Sequence, residues 1–332
     1  MWRPTHIEDT FLRCPSLFLR YAASLVYRLL DSASNTAQEG STVAEHPRLA
    51  ALLEAQMPEP GMYATSLRGV SLIRADEPIA REPLLYQPRI IVVAQGRKRV
   101  WLGEESFDYD TDNYLVLAVP MPMECATMPV DGKPLLAMTI EIDPILVGEL
   151  MLEIDDHTAV AGQPSFVAST TVTADVIDAA TRLAETLGSG IRTRVLGPQI
   201  VREIVFDVLQ GKRGDVLRML AGNSGRHGQL ARVLRRINED YALDLDIPTL
   251  ARGANMSVST FHEAFRDMTA TSPLQYIKQT RLHKARALLV DEEITAQEAA
   301  RRVGYASASQ FGREYRRMFG VSPAADRAAL SA

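Results

Sequence analysis

Apolar residues recur along this chain with two different periods, and the change of period divides it. Between about residues 63 and 142, short apolar runs alternate with turn-forming residues. The runs 89–94, 98–102, 106–109, 114–119 and 135–140 read as strands. They are rich in Val, Ile, Leu and aromatic residues and are separated by breaks such as Gln95-Gly96-Arg97, Gly103-Glu104 and residues 110–113. Short strands at such close spacing predict a sandwich or barrel. From residue 173 the period becomes helical. Segments 173–187 and 197–209 are amphipathic, with Ile200, Ile204, Val205 and Val208 on one face. Near the start, residues 17–30 are apolar but contain Arg20 and Arg28. That run is shorter than the roughly 20 residues needed to span a bilayer and lacks the order of a signal peptide. An amphipathic helix followed by a polar linker at 32–40 is expected, and no membrane partner.

The C-terminal third repeats itself at a spacing of about 50 residues, a kind of periodicity that marks a duplicated unit. Arg252/Arg302, Ser257/Ser307, Ser259/Ser309, Phe261/Phe311, Arg266/Arg316, Met268/Met318, Ser272/Ser322 and Pro273/Pro323 are identical pairs, and Ala254/Gly304 is a near match. Each copy predicts a short helix (248–254 and 295–303), a tight break, and a second helix opened by Ser257 or Ser307 as N-cap. This is the outline of a helix-turn-helix. In the second helices, Val258, Phe261, Phe265 and Met268, and likewise Ala308, Phe311, Tyr315 and Met318, form an apolar stripe. The opposite faces carry Ser259, His262, Glu263 and Arg266 in one copy, and Ser309, Gly312, Arg313 and Arg316 in the other. Between the copies, residues 272–289 keep helical spacing, with Pro273 suited to a first turn. A helix of that length spans roughly 25 Å. It can hold two reading helices about one DNA turn apart, roughly 34 Å.

At these residues the chain resembles a family. The stretch from about 227 to 327 is similar to the DNA-binding domain of the AraC/XylS transcription regulators, which carries two helix-turn-helix motifs; the run from Gly304 to Pro323 is close to that family's signature. The resemblance implies DNA contacts from Ser257, Ser259, Thr260, His262 and Arg266 in the first unit. In the second it implies Ser307, Ser309, Gln310, Arg313, Arg316 and Arg317. Arg313 can pair bidentately with guanine and Gln310 can reach adenine. Two departures stand out in the first unit: an acidic Glu263 on the exposed face and a small Ser259 where a larger reader is expected. The first helix is therefore expected to read DNA more weakly. Upstream, the run from Leu85 to Gly103 resembles the cupin-like N-terminal domain of one AraC subgroup, over roughly residues 60–215. For such a domain Tyr86, Trp101, Met121, Met123 and Glu141 are candidate effector-pocket residues, and each is equally well an ordinary core or rim residue.

Charge sharpens this picture. The chain carries a net −5, yet from Arg226 onward 16 Lys/Arg face 12 Asp/Glu, so the basic excess lies where phosphate contacts are needed. Cys14 and Cys125 are the only cysteines, which fits a reducing cytoplasm and offers no zinc-finger spacing. A catalytic cupin needs clustered His and carboxylate ligands. His6, His46 and His157 all fall outside the strand run, so no metal, cofactor or catalytic residue is expected.

The sequence thus predicts a two-domain protein. An N-terminal helical extension (1–45) precedes a cupin-like β-barrel with flanking helices (46–221), which senses and dimerises; an all-α double helix-turn-helix domain (227–328) reads DNA. The function expected is a cytoplasmic, effector-responsive transcriptional activator, not an enzyme. Its implied partners are double-stranded promoter DNA, RNA polymerase, a small-molecule effector and a second copy of itself. Two alternatives stay open: a ligand-independent repressor or architectural DNA-binding protein, and a cupin enzyme fused to a DNA-binding domain.

Overall fold

A computed structural model of the chain describes residues 46–154, 165–221, 225–292 and 294–331. The expected extension at 1–45, with its helix and polar linker, lies outside the described residues, as do residues 222–224, which fall between the two expected domains.

Ten strands among the described residues form two antiparallel sheets. The six-stranded sheet has the order β1 (Gly61–Ala64), β2 (Val70–Ala75), β9 (Leu135–Glu141), β4 (Arg89–Gln95), β7 (Asn113–Leu117), β10 (Val167–Thr171). The four-stranded sheet runs β3 (Ile79–Tyr86), β8 (Met121–Met128), β5 (Arg97–Leu102), β6 (Glu105–Asp110). The β-rich, cupin-like half is present, as two open sheets around a common core rather than one hydrogen-bonded ring. Ile90, Ile91, Val92, Val93 and Ala94 of β4 are all buried because the strand is covered on both faces. The facing sheet packs on one side and Leu49 and Leu53 of α1 (Pro47–Gln56) join the core on the other.

The strands the sequence did not disclose have physical reasons for their silence. β3 contains Arg81, Glu82 and Pro83, which read as a loop; the strand lies at a sheet edge, where proline loses no ladder bond. β8 alternates strictly, with Met121, Met123, Cys125 and Thr127 inward, but it is built from Met, Pro and Glu rather than β-branched residues.

Helices α2 (Pro144–Glu153), α3 (Ala174–Leu187), α4 (Gly190–Gln210) and α5 (Gly214–Ala221) complete the N-terminal half. The C-terminal half is entirely helical: α6 (Gly225–Glu239), α7 (Ile247–Gly253), α8 (Val258–Thr269), α9 (Pro273–Asp291), α10 (Ala296–Arg302), α11 (Ala308–Phe319) and α12 (Pro323–Ser331). Two apolar cores result. One runs unbroken from α1 and both sheets through α3–α8 to Tyr276 and Ile277 at the start of α9. The other gathers Tyr241, Leu282, Leu288, Leu289, Val303, Phe311, Tyr315 and Phe319 around the second unit.

Candidate nucleic-acid interface and interdomain cavity

The first unit is α7 and α8. The Asp246 carboxylate caps α7 by accepting from the Thr249 N–H at 2.9 Å, and the Ser257 hydroxyl caps α8 by accepting from the Thr260 N–H at 3.2 Å. Phe261 and Phe265 stand edge-to-face, and Phe265 does the same with Tyr276 of α9, each pair 5.4 Å apart. This fixes the inner side of α8. Ser259, Glu263 and Arg266 are exposed, and Thr260 and His262 are half-buried. The Ser257 hydroxyl also lies 3.1 Å from that of Ser259 and 2.9 Å from that of Thr260, so these three candidate readers are tied to one another.

The second unit is α10 and α11. Thr295 caps α10 and Ser307 caps α11, accepting from the Glu298 and Gln310 N–H groups at 3.2 and 3.3 Å. Ser309, Gln310, Arg313, Arg316 and Arg317 are all exposed, on the side away from Phe311, Tyr315 and Phe319. The inner stripe differs slightly from the sequence expectation. Val258 and Ala308 sit in first turns and are exposed, while Ala264 and Phe319 take inner places.

The turns are not superimposable. Four residues separate α7 from α8, whereas five separate α10 from α11. The left-handed position falls on Asn255 (φ 52°) in the first and on Gly304 (φ 82°) in the second, so Ala254 is not the counterpart of Gly304 in conformation. Asn tolerates that region. Gly304 is under a harder constraint: a Cβ there would stand 2.4 Å from the Ala242 carbonyl oxygen. Arg281 of α9 closes the same corner, donating to the carbonyls of Tyr241, Leu243 and Gly304 at 2.7, 2.8 and 3.2 Å.

Two polar clusters in the second unit escaped the sequence reading. Asp326 of α12, almost wholly buried, accepts from the Tyr315 hydroxyl at 2.5 Å and pairs with Arg286 of α9 at 3.0 Å. Glu314 accepts from Lys278, Tyr305 and Gln310. A signal existed for the second: Gln310 and Glu314 are one helical turn apart.

Between the sheets and the reading units lies a cavity of about 360 Å³. Its apolar wall includes Met62, Ile73, Leu85 and Ile91 from the strands. Arg89 and Lys98 from the sheets, Arg235 from α6, and Lys284 and Arg286 from α9 bring five cationic side chains to it, against Glu82, Glu141 and Glu239. Lys98 is 2% exposed although it is a lysine, because it shares the inward face of β5 with Val100 and Leu102. Burial pushes the Glu82 carboxyl above its usual range, opposed by the positive charges of Arg286 and Lys98. The seam beside the cavity is closed by the Tyr276 hydroxyl on the Pro120 carbonyl and by Asn238 donating to Gln87 at 3.4 Å. The β5–β6 turn presses against the end of α8: a Cβ at Gly103 would lie 2.7 Å from that of Ala270.

Of the candidate pocket residues, Tyr86 and Glu141 line this cavity. Met121 and Met123 are packed in the core and are not part of its wall. Trp101 lies on the other face of β5, with the Arg81 guanidinium 4.5 Å and that of Arg99 6.0 Å from its ring centre. Among the described residues no group of three or more His, Cys, Asp or Glu is placed to hold a metal ion. Nor is any helix among them long and apolar enough to cross a membrane.

Comparison with known proteins agrees with this architecture in both halves. Residues 66–216 match the family described as the AraC-type transcriptional regulator N-terminus, and residues 250–329 match a helix-turn-helix domain family. The chain is 33% identical over 97 residues to the RCS-specific HTH-type transcriptional activator RclR of Escherichia coli K12, covering 29% of this chain and 34% of RclR. It is 30% identical over 112 residues to the HTH-type transcriptional regulator ExsA of Pseudomonas aeruginosa, covering 34% of this chain and 38% of ExsA. The chain thus spans about a third of the length of the curated relatives it matches. Among solved structures, ToxT from Vibrio cholerae shares the fold across both halves. The apo form of a single-substitution variant of ToxT has a TM-score of 0.58 at 10% identity, over 80% of this chain and 100% of ToxT. An unsaturated fatty acid-bound ToxT gives 0.53 at 10% identity, over 78% and 93%. With its AraC-type N-terminal half, its duplicated helix-turn-helix units and these relatives, the chain belongs to the AraC/XylS family of DNA-binding transcriptional regulators.

Proposed function

We propose that the protein is an effector-controlled transcriptional activator. In this reading residues 46–221 sense the effector and pair two copies, and residues 227–328 bind promoter DNA and recruit RNA polymerase in the cytoplasm. The observation that carries it is the position of the cavity: its wall is shared by the sheets and by α6 and α9, the helices that support the two reading units. A ligand there touches both halves, so it changes the balance between their arrangements by its differential affinity for them.

In this proposal Ser259, Thr260, His262 and Arg266 of α8 and Ser309, Gln310, Arg313, Arg316 and Arg317 of α11 face the duplex. Ser257 and Ser307 contribute hydroxyls at the helix N-termini, where backbone N–H groups favour phosphate. Five cationic side chains against three carboxylates, beside an apolar wall, leave a positive excess that suits an amphipathic anion, such as a long-chain carboxylate. The fatty acid-bound form of ToxT supports this class of effector. Pairing of copies is assigned to α4, where Ile191 and Val195, one turn apart, are 70% and 62% exposed.

The test combines DNA selection with ligand-dependent melting. The full chain is expected to select a defined motif from random duplexes. Saturating long-chain carboxylates are expected to raise its melting temperature and alter its affinity for that motif. Lys98→Met is expected to abolish the shift in melting temperature. Selection of no motif would reject DNA reading. Specific binding with no response to any amphipathic anion would favour a ligand-independent regulator instead.

A further inference from the structure

The second reading helix contains a device that the first lacks. Glu314 of α11 stands fifty positions after Ala264 of α8. Its Oε1 accepts from Lys278 Nζ of α9 at 2.9 Å and from Gln310 Nε2, one helical turn earlier, at 3.1 Å; its Oε2 accepts from the Tyr305 hydroxyl in the turn at 2.7 Å. The Glu314 side chain is 23% exposed, whereas Gln310 is exposed. The carboxylate is therefore anchored to the body of the unit, and the Gln310 amide is its outermost partner.

The chemistry of the pair fixes the sense of that amide. An ionised carboxylate only accepts hydrogen bonds, so the NH₂ group of Gln310 must face it. One N–H is consumed. The second N–H and the carbonyl oxygen are left for an outside partner, as a donor beside an acceptor. That is the pattern which meets N7 and the N6 amino group of adenine in the major groove. A glutamine free to rotate loses its side-chain freedom on making such a contact; one already tethered has less to lose. Lys278 supplies the opposite charge, so this acid on a reading helix does not present a net negative charge to phosphate. α8 offers no such arrangement, since Ala264 has no polar group and Thr260, at the place of Gln310, is bonded to the capping Ser257 hydroxyl.

We infer that Glu314 is a positioning residue for base recognition: it orients Gln310 for adenine, so the specificity of α11 depends on a side chain that touches no base. The inference rests on the reading of α11 as the helix that enters the groove.

The experiment uses the full chain and selection from random duplexes, followed by competition binding on single-base variants of the selected site. Wild type, Glu314→Ala, Glu314→Gln, Gln310→Ala and the Gln310→Ala/Glu314→Ala double variant are compared. Glu314→Ala is expected to lower the preference for adenine at the position read by Gln310 about tenfold. The preference at the position read by Arg313 is expected to stay within about twofold. In the Gln310→Ala background, the change at 314 should have no further effect at the adenine position. Glu314→Gln keeps the size and one acceptor, so it should fold like wild type and retain an intermediate preference. If Glu314→Ala or Glu314→Gln weakens binding equally at every position, Glu314 only staples α9 to α11 and the positioning role is overturned. A wild-type motif insensitive to both substitutions overturns it as well, while leaving DNA reading intact. A wild-type protein that selects no motif overturns the groove assignment and the positioning role together.

Discussion

The two helix-turn-helix units are alike in sequence and held in different ways. The first shares one unbroken apolar core with the sheets: Phe261 and Phe265 stack towards Tyr276, whose hydroxyl reaches the Pro120 carbonyl. The second has a core of its own, and its supports are polar. Asp326 holds Tyr315 and Arg286, Arg281 closes the turn on three carbonyls, and Arg286 also reaches the cavity wall beside Glu82. Apolar burial is non-directional and tolerates small shifts, whereas buried hydrogen-bonded charges favour one arrangement strongly and lose much when it is broken. The first unit is thus an extension of the N-terminal half, and the second is the one whose stability can be altered separately.

The largest effect expected from this contrast is at the turns. Gly304→Val places a β-branched residue at positive φ against a backbone carbonyl 2.4 Å away. It should destabilise the second unit by about 4 kcal/mol or more. Thermal melting should then show a separate early transition, with loss of DNA binding and retention of the sheet signal in circular dichroism. Asn255→Ala, at the first turn, should cost only about 1 kcal/mol and give no separate transition. Comparable losses at both turns would contradict independent second-unit folding.

Asp326→Asn should come next. It removes the carboxylate that Arg286 and Tyr315 share in a site where Asp326 is 1% exposed. Breaking a buried pair on one side costs about 3–5 kcal/mol, and both partners are enclosed here, since the Arg286 side chain is only 12% exposed. Chemical denaturation with a fluorescent probe on α11 checks it, and an unchanged midpoint would remove the polar support from the account.

Smaller effects sharpen the comparison at the DNA. Arg313→Ala should weaken binding to the selected site by about 1–3 kcal/mol and relax preference at one base pair. Titration on matched and single-mismatch duplexes measures both. Smallest of all, Glu263→Gln should tighten binding by about 0.5 kcal/mol at low salt without changing preference, because it removes an exposed charge that phosphate repels. Weaker binding by this variant would mean that Glu263 contacts a base.

The sequence disclosed the parts whose pattern is local. Strands β4, β5, β7 and β9 carry Val, Ile and Leu runs, and the capped units with their two aromatic stripes repeat at one spacing. It was silent where tertiary context decides. α6 is rich in arginine, and although its inward Leu230, Val233, Leu234 and Ile237 keep helical spacing, nothing local says that they pack against the N-terminal half. The cavity depends on the inward face of β5 and on α9 passing beside it, so Lys98 could be suspected from sharing parity with Val100 and Leu102, but Arg286 could not. The one-residue difference between the turns was hidden because the identical pairs on either side align without a gap.

The central claim is that the two units read DNA unequally, and selection of bound duplexes from a random pool by the full chain measures it most directly. The account predicts one half-motif of high information, assigned to α11 because Arg313→Ala erases part of it. It predicts a second half-motif of low information that Glu263→Gln leaves unchanged. Two half-motifs of equal information, or a dominant half that responds to Glu263→Gln and not to Arg313→Ala, would contradict it.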